Sequence, residues 1–266
     1  MLKDITLGQF FPGNTLVHRL DPRAKLLCVI LYIVALFTAS GWLSYGRLLA
    51  TRLIAIKIST IPPKSIVKGM KPLVMILIFT GLLNLFYTEG TPIWSFWIFT
   101  ITYEGLTRAF FMILRISLLV TGTFMLTYTT SPVSLTDGME SLLRPLRHLH
   151  IPVHELSMMM CIALRFIPTL IEETDKIMSA QKARGADFES GNLLERAKSL
   201  IPILVPLFVS AFNIARDLAM AMEARCYRGG EHRTKMKPLV YKKQDYMAYL
   251  VLLVYFAACI VIGRLL

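Results

Sequence analysis

The stretch DKIMSAQKARGAD, Asp175–Asp187, is echoed downstream by RDLAMAMEARCYRGG, Arg216–Gly230. In register, Ile177 matches Leu218, Ala180 matches Ala221, Ala183 matches Ala224 and Arg184 matches Arg225. Alanine, methionine and leucine are strong helix formers, so both segments read as helix ends. Gly185 and Gly229–Gly230 are expected to stop those helices, because glycine takes the left-handed conformation at little cost. Arginine at such an end complements the negative pole of the helix macrodipole. The local pattern therefore fits a solvated cap as well as a docking residue.

Upstream, the two segments extend into long helical stretches, Pro152–Arg184 and Ser199–Tyr227, interrupted by Pro168, Pro202 and Pro206. Glu172, Glu173, Asp175 and Lys176 in one, and Arg216 and Asp217 in the other, suit a helix along a membrane surface or against protein. Ala211, Ala215 and Ala219, at i, i+4 and i+8, set a flat stripe where a second helix could cross closely.

The rest of the chain is built for lipid. Of 266 residues 55% are hydrophobic and 17% charged, with a mean hydropathy of +0.58. An ordinary soluble domain carries roughly a quarter charged residues. Apolar stretches run Leu26–Trp42, Leu73–Tyr87, Leu106–Tyr128 and Tyr246–Leu266, with a weaker one at Gly41–Ser59. They predict about five transmembrane helices, each near the ~20 residues a span requires. An N-terminus on the cytoplasmic side makes the lysine-bearing Lys57–Lys71 loop cytoplasmic. It leaves Thr88–Glu104, which has no Lys or Arg, external. Aromatic residues in TPIWSFWIFT suit an interfacial or re-entrant position for that loop. Net charge +12 fits basic cytoplasmic loops. The start, MLKDITLGQFFPGN, has no cleavable-leader pattern and is expected to remain on the chain.

Arg47 and Arg52 fall inside the weaker stretch, about 140° apart on a helix. The simpler expectation is a tilted helix with Arg47 reaching outward and Arg52 inward; a ligand path is the other reading. Cys28, Cys161, Cys226 and Cys259 are scattered and read as reduced thiols. No phosphate-binding GxxxxGK[ST] loop occurs, His154-Glu155 lacks a second histidine at zinc-protease spacing, and no metal site is expected. His148, His150 and His154 read as solvated, interfacial histidines. Seven of the 14 methionines lie between Met139 and Met222, among them Met158, Met159 and Met160, a candidate adaptable surface.

The run PGNTLVHRLDPRAKLL (Pro12–Leu27), the basic PPKSIVKGMKPL (Pro62–Leu73) and the endings Ala183-Arg184-Gly185 and Ala224-Arg225-Cys226 together resemble the transmembrane (T) component of energy-coupling factor transporters. Two departures are Cys226, where the first ending has glycine, and the charged second span. The resemblance implies a non-catalytic scaffold joining two cytoplasmic ABC-type ATPase subunits to a membrane-embedded substrate-binding (S) component for a vitamin or metal ion. ATP and Mg would bind the partner ATPase subunits, with no cofactor on this chain. Ala183, Arg184, Gly185, Ala224, Arg225 and Cys226 would dock on the ATPases, and Met158, Met159 and Met160 are a possible S-component surface. The expected fold is all-α and polytopic. It comprises N-terminal transmembrane helices over 1–130, a cytoplasmic coupling domain of long crossed amphipathic helices over 131–243, and a C-terminal transmembrane helix over 244–266. The alternatives are an ion-coupled secondary transporter or a polytopic membrane enzyme. The first would call for acidic residues in mid-membrane, and the second for a polar catalytic constellation near the interface.

Overall fold

The computed structural model describes residues 10–39, 41–96, 99–186, 188, 192, 198–230 and 234–265. The first nine residues, on which the uncleaved N-terminus rests, and Asp187 lie outside them. The helices are α1 (Leu16–Arg19), α2 (Pro22–Thr38), α3 (Gly41–Ser59), α4 (Pro63–Met70), α5 (Val74–Tyr87), α6 (Tyr103–Thr129), α7 (Pro132–Leu143), α8 (Val153–Ala183), α9 (Ile201–Ala224) and α10 (Lys243–Leu265). Among the described residues, strands β1 (Pro92–Phe96) and β2 (Phe99–Thr102) pair antiparallel, so the aromatic stretch forms a short two-stranded pairing between helices.

Two expectations change. Lys64, Lys68 and Lys71 are not in a loop: α4, a 3-10 turn at Lys71–Leu73 and α5 run on as one 25-residue element, Pro63–Tyr87. Pro63 sits in the first turn, where its missing N–H costs nothing, and Pro72 inside the element is accommodated by a switch to 3-10 geometry at Lys71–Leu73 that does not end it. The first apolar stretch stops at Thr38, and Gly41, with φ +80°, turns the chain into α3. Pro63–Tyr87, Tyr103–Thr129, Val153–Ala183 and Ile201–Ala224 are long and apolar enough to cross a membrane. About five spans remain consistent with the all-α fold.

Contacts divide the chain into two compact units, Gly8–Met139 with Leu239–Leu266, and Glu140–Pro238. In the first, α5, α2 and α3 each pack on α6, and α10 packs on α2. Tyr32, Leu36, Tyr45, Leu48 and Leu118 form its main buried cluster. Large apolar side chains such as Met75, Phe79 and Leu253 point outward, as lipid-facing helices require.

The DPRAK run, Asp21–Lys25, is a buried electrostatic knot. Asp21 caps α2 by accepting the Arg23 amide at 2.9 Å, and its carboxylate holds the Arg23 guanidinium at 3.1 and 3.2 Å. Arg23 Nη2 also donates to the Leu239 carbonyl at 2.7 Å, and the guanidinium lies 4.2 Å from the Tyr241 ring centroid. Lys25 Nζ donates to His18 O, Thr129 O and Thr130 Oγ1, which matches its three protons. Asp245, 1% exposed, accepts the Asp21 amide at 2.8 Å and the Lys242 amide at 2.7 Å, capping α10.

Arg52 turns into the helix bundle and packs on α2. Its guanidinium lies 4.7 Å from the Tyr32 ring centroid. Its Nε and Nη2 are buried without a hydrogen-bond partner. Gly122 makes this possible, since a Cβ there would meet Arg52 Nη2 at 2.8 Å and the Tyr32 ring at 2.9 Å. Arg47 is half-buried.

Candidate functional site: two arginine-capped helix ends

Helix α8 ends at Ala183, with Arg184 as its C-cap at φ −86° and ψ 5°. The Gly185 amide donates to Lys182 O and the Ala186 amide to Gln181 O, both at 3.0 Å, while Gly185 takes φ +87°. That double reach-back is a Schellman motif, which satisfies carbonyls the helix would leave orphaned. Helix α9 ends the same way. Arg225 is its C-cap at φ −93° and ψ 14°. The Cys226 amide donates to Glu223 O at 2.8 Å and the Tyr227 amide to Met222 O at 3.0 Å, with Cys226 at φ +57°. The two ends are conformational copies to within about ten degrees at the arginine. Cys226 thus replaces glycine without changing the turn, and the stop lies there rather than at Gly229–Gly230, which are beyond the helix. All six residues, Ala183, Arg184, Gly185, Ala224, Arg225 and Cys226, are exposed.

Helices α8 and α9 pack against each other. Gln181 Nε2, at the end of α8, reaches the Pro202 carbonyl at the start of α9 at 3.5 Å. At the other extremity the Tyr227 hydroxyl donates to Met158 Sδ at 3.1 Å. The helices are therefore antiparallel, and the arginines lie at opposite ends of the pair. With 24 residues in α9, the ends are separated by about 36 Å along the axis.

The chain beyond Arg225 is tied down. Lys235 Nζ donates to Glu140 Oε2 at 2.7 Å, and His154 Nδ1 meets Glu140 Oε1 at 2.9 Å. Gly230 abuts the His154 ring with no room for a side chain. Burial works against ionisation of Glu140, but the hydrogen bonds and charges of His154 and Lys235 outweigh it and hold its carboxyl below the ordinary carboxylate range. His154 is therefore a bonded residue rather than a solvated one, whereas His148 and His150 are exposed as expected. Among the described residues no His, Cys, Asp and Glu group could hold a metal ion.

Of the small-residue stripe only Ala211 lies on the covered face of α9. In α9 the covered positions are Ile203, Pro206, Leu207, Ser210, Ala211, Ile214, Leu218 and Met222, one broad face at helical spacing. Ala211 is half-buried at its margin, and Ala215 and Ala219 are exposed. Met158 is turned in beneath Tyr227, while Met159 and Met160 are 56% and 49% exposed.

Residues 13–236 match the family model described as cobalt transport protein (CbiQ). The chain is 54% identical over 250 residues to the energy-coupling factor transporter transmembrane protein EcfT of Thermosediminibacter oceani, covering 94% of each chain. It is 52% identical over 247 residues to that of Ruminiclostridium cellulolyticum, covering 92% of each. It is 48% identical over 246 residues to that of Bacillus subtilis, covering 92% of this chain and 93% of that one. The chain belongs to this family. It is the transmembrane component of an energy-coupling factor transporter, a membrane subunit of a transport system.

Within that component, sequence reading alone missed Asp245, Tyr227 and the Glu140–His154–Lys235 cluster. Asp245 left one readable signal, an isolated carboxylate in the first turn of an apolar helix, where it complements the positive pole. Tyr227 left none, because its partner Met158 stands far away in sequence.

Proposed function

We propose that this T component works as a coupling scaffold, with Arg184 and Arg225 each entering a groove on one of two cytoplasmic ABC-type ATPase subunits. The unit containing α8 and α9 would be the cytoplasmic coupling domain. The remaining helices would lie in the bilayer beside a substrate-binding S component for a vitamin or metal ion, with ATP and Mg held by the ATPases. The observation that carries this reading is the pair of copied arginine caps at the two extremities of an antiparallel helix pair. A permanently charged, fork-shaped guanidinium suits carboxylates and carbonyls in a partly buried groove, and a neighbouring alanine keeps the tip slim. Exposed Ala215, Ala219, Met159 and Met160 supply a flat, repackable face for the S component.

The length and apolarity of α8 and α9 favour a second reading, in which both cross the bilayer. An antiparallel pair that crossed would put its two C-terminal arginines on opposite sides of the membrane, where they could not both meet cytoplasmic ATPases. Labelling separates the two readings. Cys226, exposed beside Arg225, and a cysteine introduced as Ala183→Cys are probed with an impermeant maleimide on inside-out and right-side-out vesicles, the other cysteines having been replaced. The scaffold reading expects both to react from the cytoplasmic face, and labelling from opposite faces overturns it. In the same complex, Arg184→Glu with Arg225→Glu is expected to abolish ATP-driven uptake. Each reversal weakens one ATPase contact by about 2–5 kcal/mol, while the chain stays in the membrane. Retention of both ATPases by the double variant refutes the docking assignment.

A further inference from the structure

A cleft of about 330 Å³ opens where the end of α5 meets the starts of α3 and α6. Tyr45, Asn84, Arg108, Phe111 and Arg115 are among the residues lining it. Arg108 and Arg115 stand at i and i+7 on α6, so they share one face and lie about 10 Å apart along the axis. Arg115 is half-buried within a membrane-crossing helix, where an unsatisfied guanidinium is costly. Tyr45 Oη accepts its Nε proton at 2.7 Å, which fixes the side chain and leaves the two terminal nitrogens of the fork. The nearby Phe37 and Tyr45 rings lie 5.9 and 5.8 Å from the guanidinium. Asn84 donates to Thr80 O at 2.9 Å and keeps a second amide proton.

No carboxylate among the described residues reaches either arginine at ion-pair distance. Glu104, one turn before Arg108, has both oxygens engaged by the Thr91 amide and hydroxyl at 2.8–3.1 Å. The cleft therefore presents two cationic forks, neither in a close ion pair among the described residues; Glu104 attracts Arg108 only from a distance while bonded to Thr91, and Arg115 has no carboxylate beside it. Its level in the bilayer is marked by Trp42, 61% exposed and stacked on Phe110 at 5.3 Å, an aromatic of the kind that sits among headgroups. Arg108 lies about 8 Å from the start of α6, the same interfacial depth.

We propose that this cleft holds the phosphodiester headgroup of an anionic phospholipid between Arg108 and Arg115. Arg108 reaches the phosphate from the interface and Arg115 snorkels up from below, each offering paired N–H donors to its oxygens. Phe111 and Phe110 border the first acyl segments. Basic pockets between transmembrane helices recognise headgroups by this combination of fork geometry and depth. The lipid would be an integral part of the unit, covering a charge that hydrocarbon cannot.

The test uses the full chain in nanodiscs containing phosphatidylglycerol and phosphatidylcholine at equal amounts, followed by native mass spectrometry of retained lipid. One phosphatidylglycerol per chain is expected to survive release from the nanodisc, with at least tenfold preference over phosphatidylcholine. R108Q with R115Q is expected to erase that preference. R108Q alone, at an exposed position, is expected to lower it several-fold while the helical circular dichroism of the chain stays unchanged. R108K with R115K, which keeps charge but loses the fork, is expected to fall between. Unchanged phosphatidylglycerol retention in R108Q, or equal retention of the two lipids by the unaltered chain, overturns the proposal. So does arginine-dependent thermal protection by inorganic phosphate without arginine-dependent lipid retention, which would assign the cleft to a free anion. Exclusion of lipid by a copurifying protein that needs both arginines overturns it as well.

Discussion

Replacing Asp245 with alanine removes an acceptor on which two backbone amides depend. The Asp21 amide is buried and loses a 2.8 Å charge-assisted bond, and the half-buried Lys242 amide loses one of 2.7 Å. A hydrogen bond to a charged group contributes about 1.5–3 kcal/mol, and water can partly rescue only the Lys242 amide. The expected loss is about 3 kcal/mol, close to the upper range for one substitution. Asp245→Asn keeps an acceptor for the Asp21 amide but turns an amide donor toward Lys242, so about half that loss is expected. Equilibrium unfolding in mixed micelles, followed by tryptophan fluorescence and circular dichroism, ranks the two. Asp245→Ala within about 0.5 kcal/mol of the unaltered chain, or less damaging than Asp245→Asn, refutes the knot as a source of stability.

Other substitutions test other parts of the reasoning. Cys226→Gly relieves a non-glycine residue held at φ +57° and is expected to stabilise the α9 end by about 1 kcal/mol, read as slower amide exchange over Met222–Tyr227. Arg52→Met replaces a buried guanidinium carrying two unpaired nitrogens, so stability is expected to hold or to rise by about 1 kcal/mol despite the lost stack on Tyr32. A loss above about 1 kcal/mol would mean that the cation–ring contact outweighs desolvation. The depressed Glu140 carboxyl makes the tie to His154 and Lys235 fully effective above the unfolded value near about 4.3, and it weakens as pH falls through the lower folded value. Amide-exchange protection factors at 226–230 and 234–238, corrected for the intrinsic pH dependence of exchange, should therefore fall in acid, and Glu140→Gln should remove that dependence.

The all-α class and the main long helices were legible because apolar runs and alanine-rich ends carry their own period. The two arginine ends were legible because the Schellman turn is local, its bonds spanning no more than five residues. What stayed hidden was everything that depends on a partner far along the chain. The lysines at 64, 68 and 71 suggested a loop, yet Pro63 starts the helix and a 3-10 turn carries it past Pro72. The Ala211–Ala215–Ala219 stripe is real as a pattern, but only Ala211 lies on the covered face that Ile203, Leu207, Ser210, Ile214 and Leu218 share. Spacing shows which residues share a face and leaves open which face is covered. The DPRAK run likewise announced itself only through resemblance, because its physical reason is a carboxylate 224 residues away.

That separation has a consequence for biogenesis. The first hydrophobic helix leaves the ribosome with its acid and bases poised, yet the fragment that completes their hydrogen bonding is translated more than two hundred residues later. Until α10 is made, the Asp21 amide lacks the carboxylate that satisfies it, so the early helices cannot complete this clasp before the chain is nearly finished.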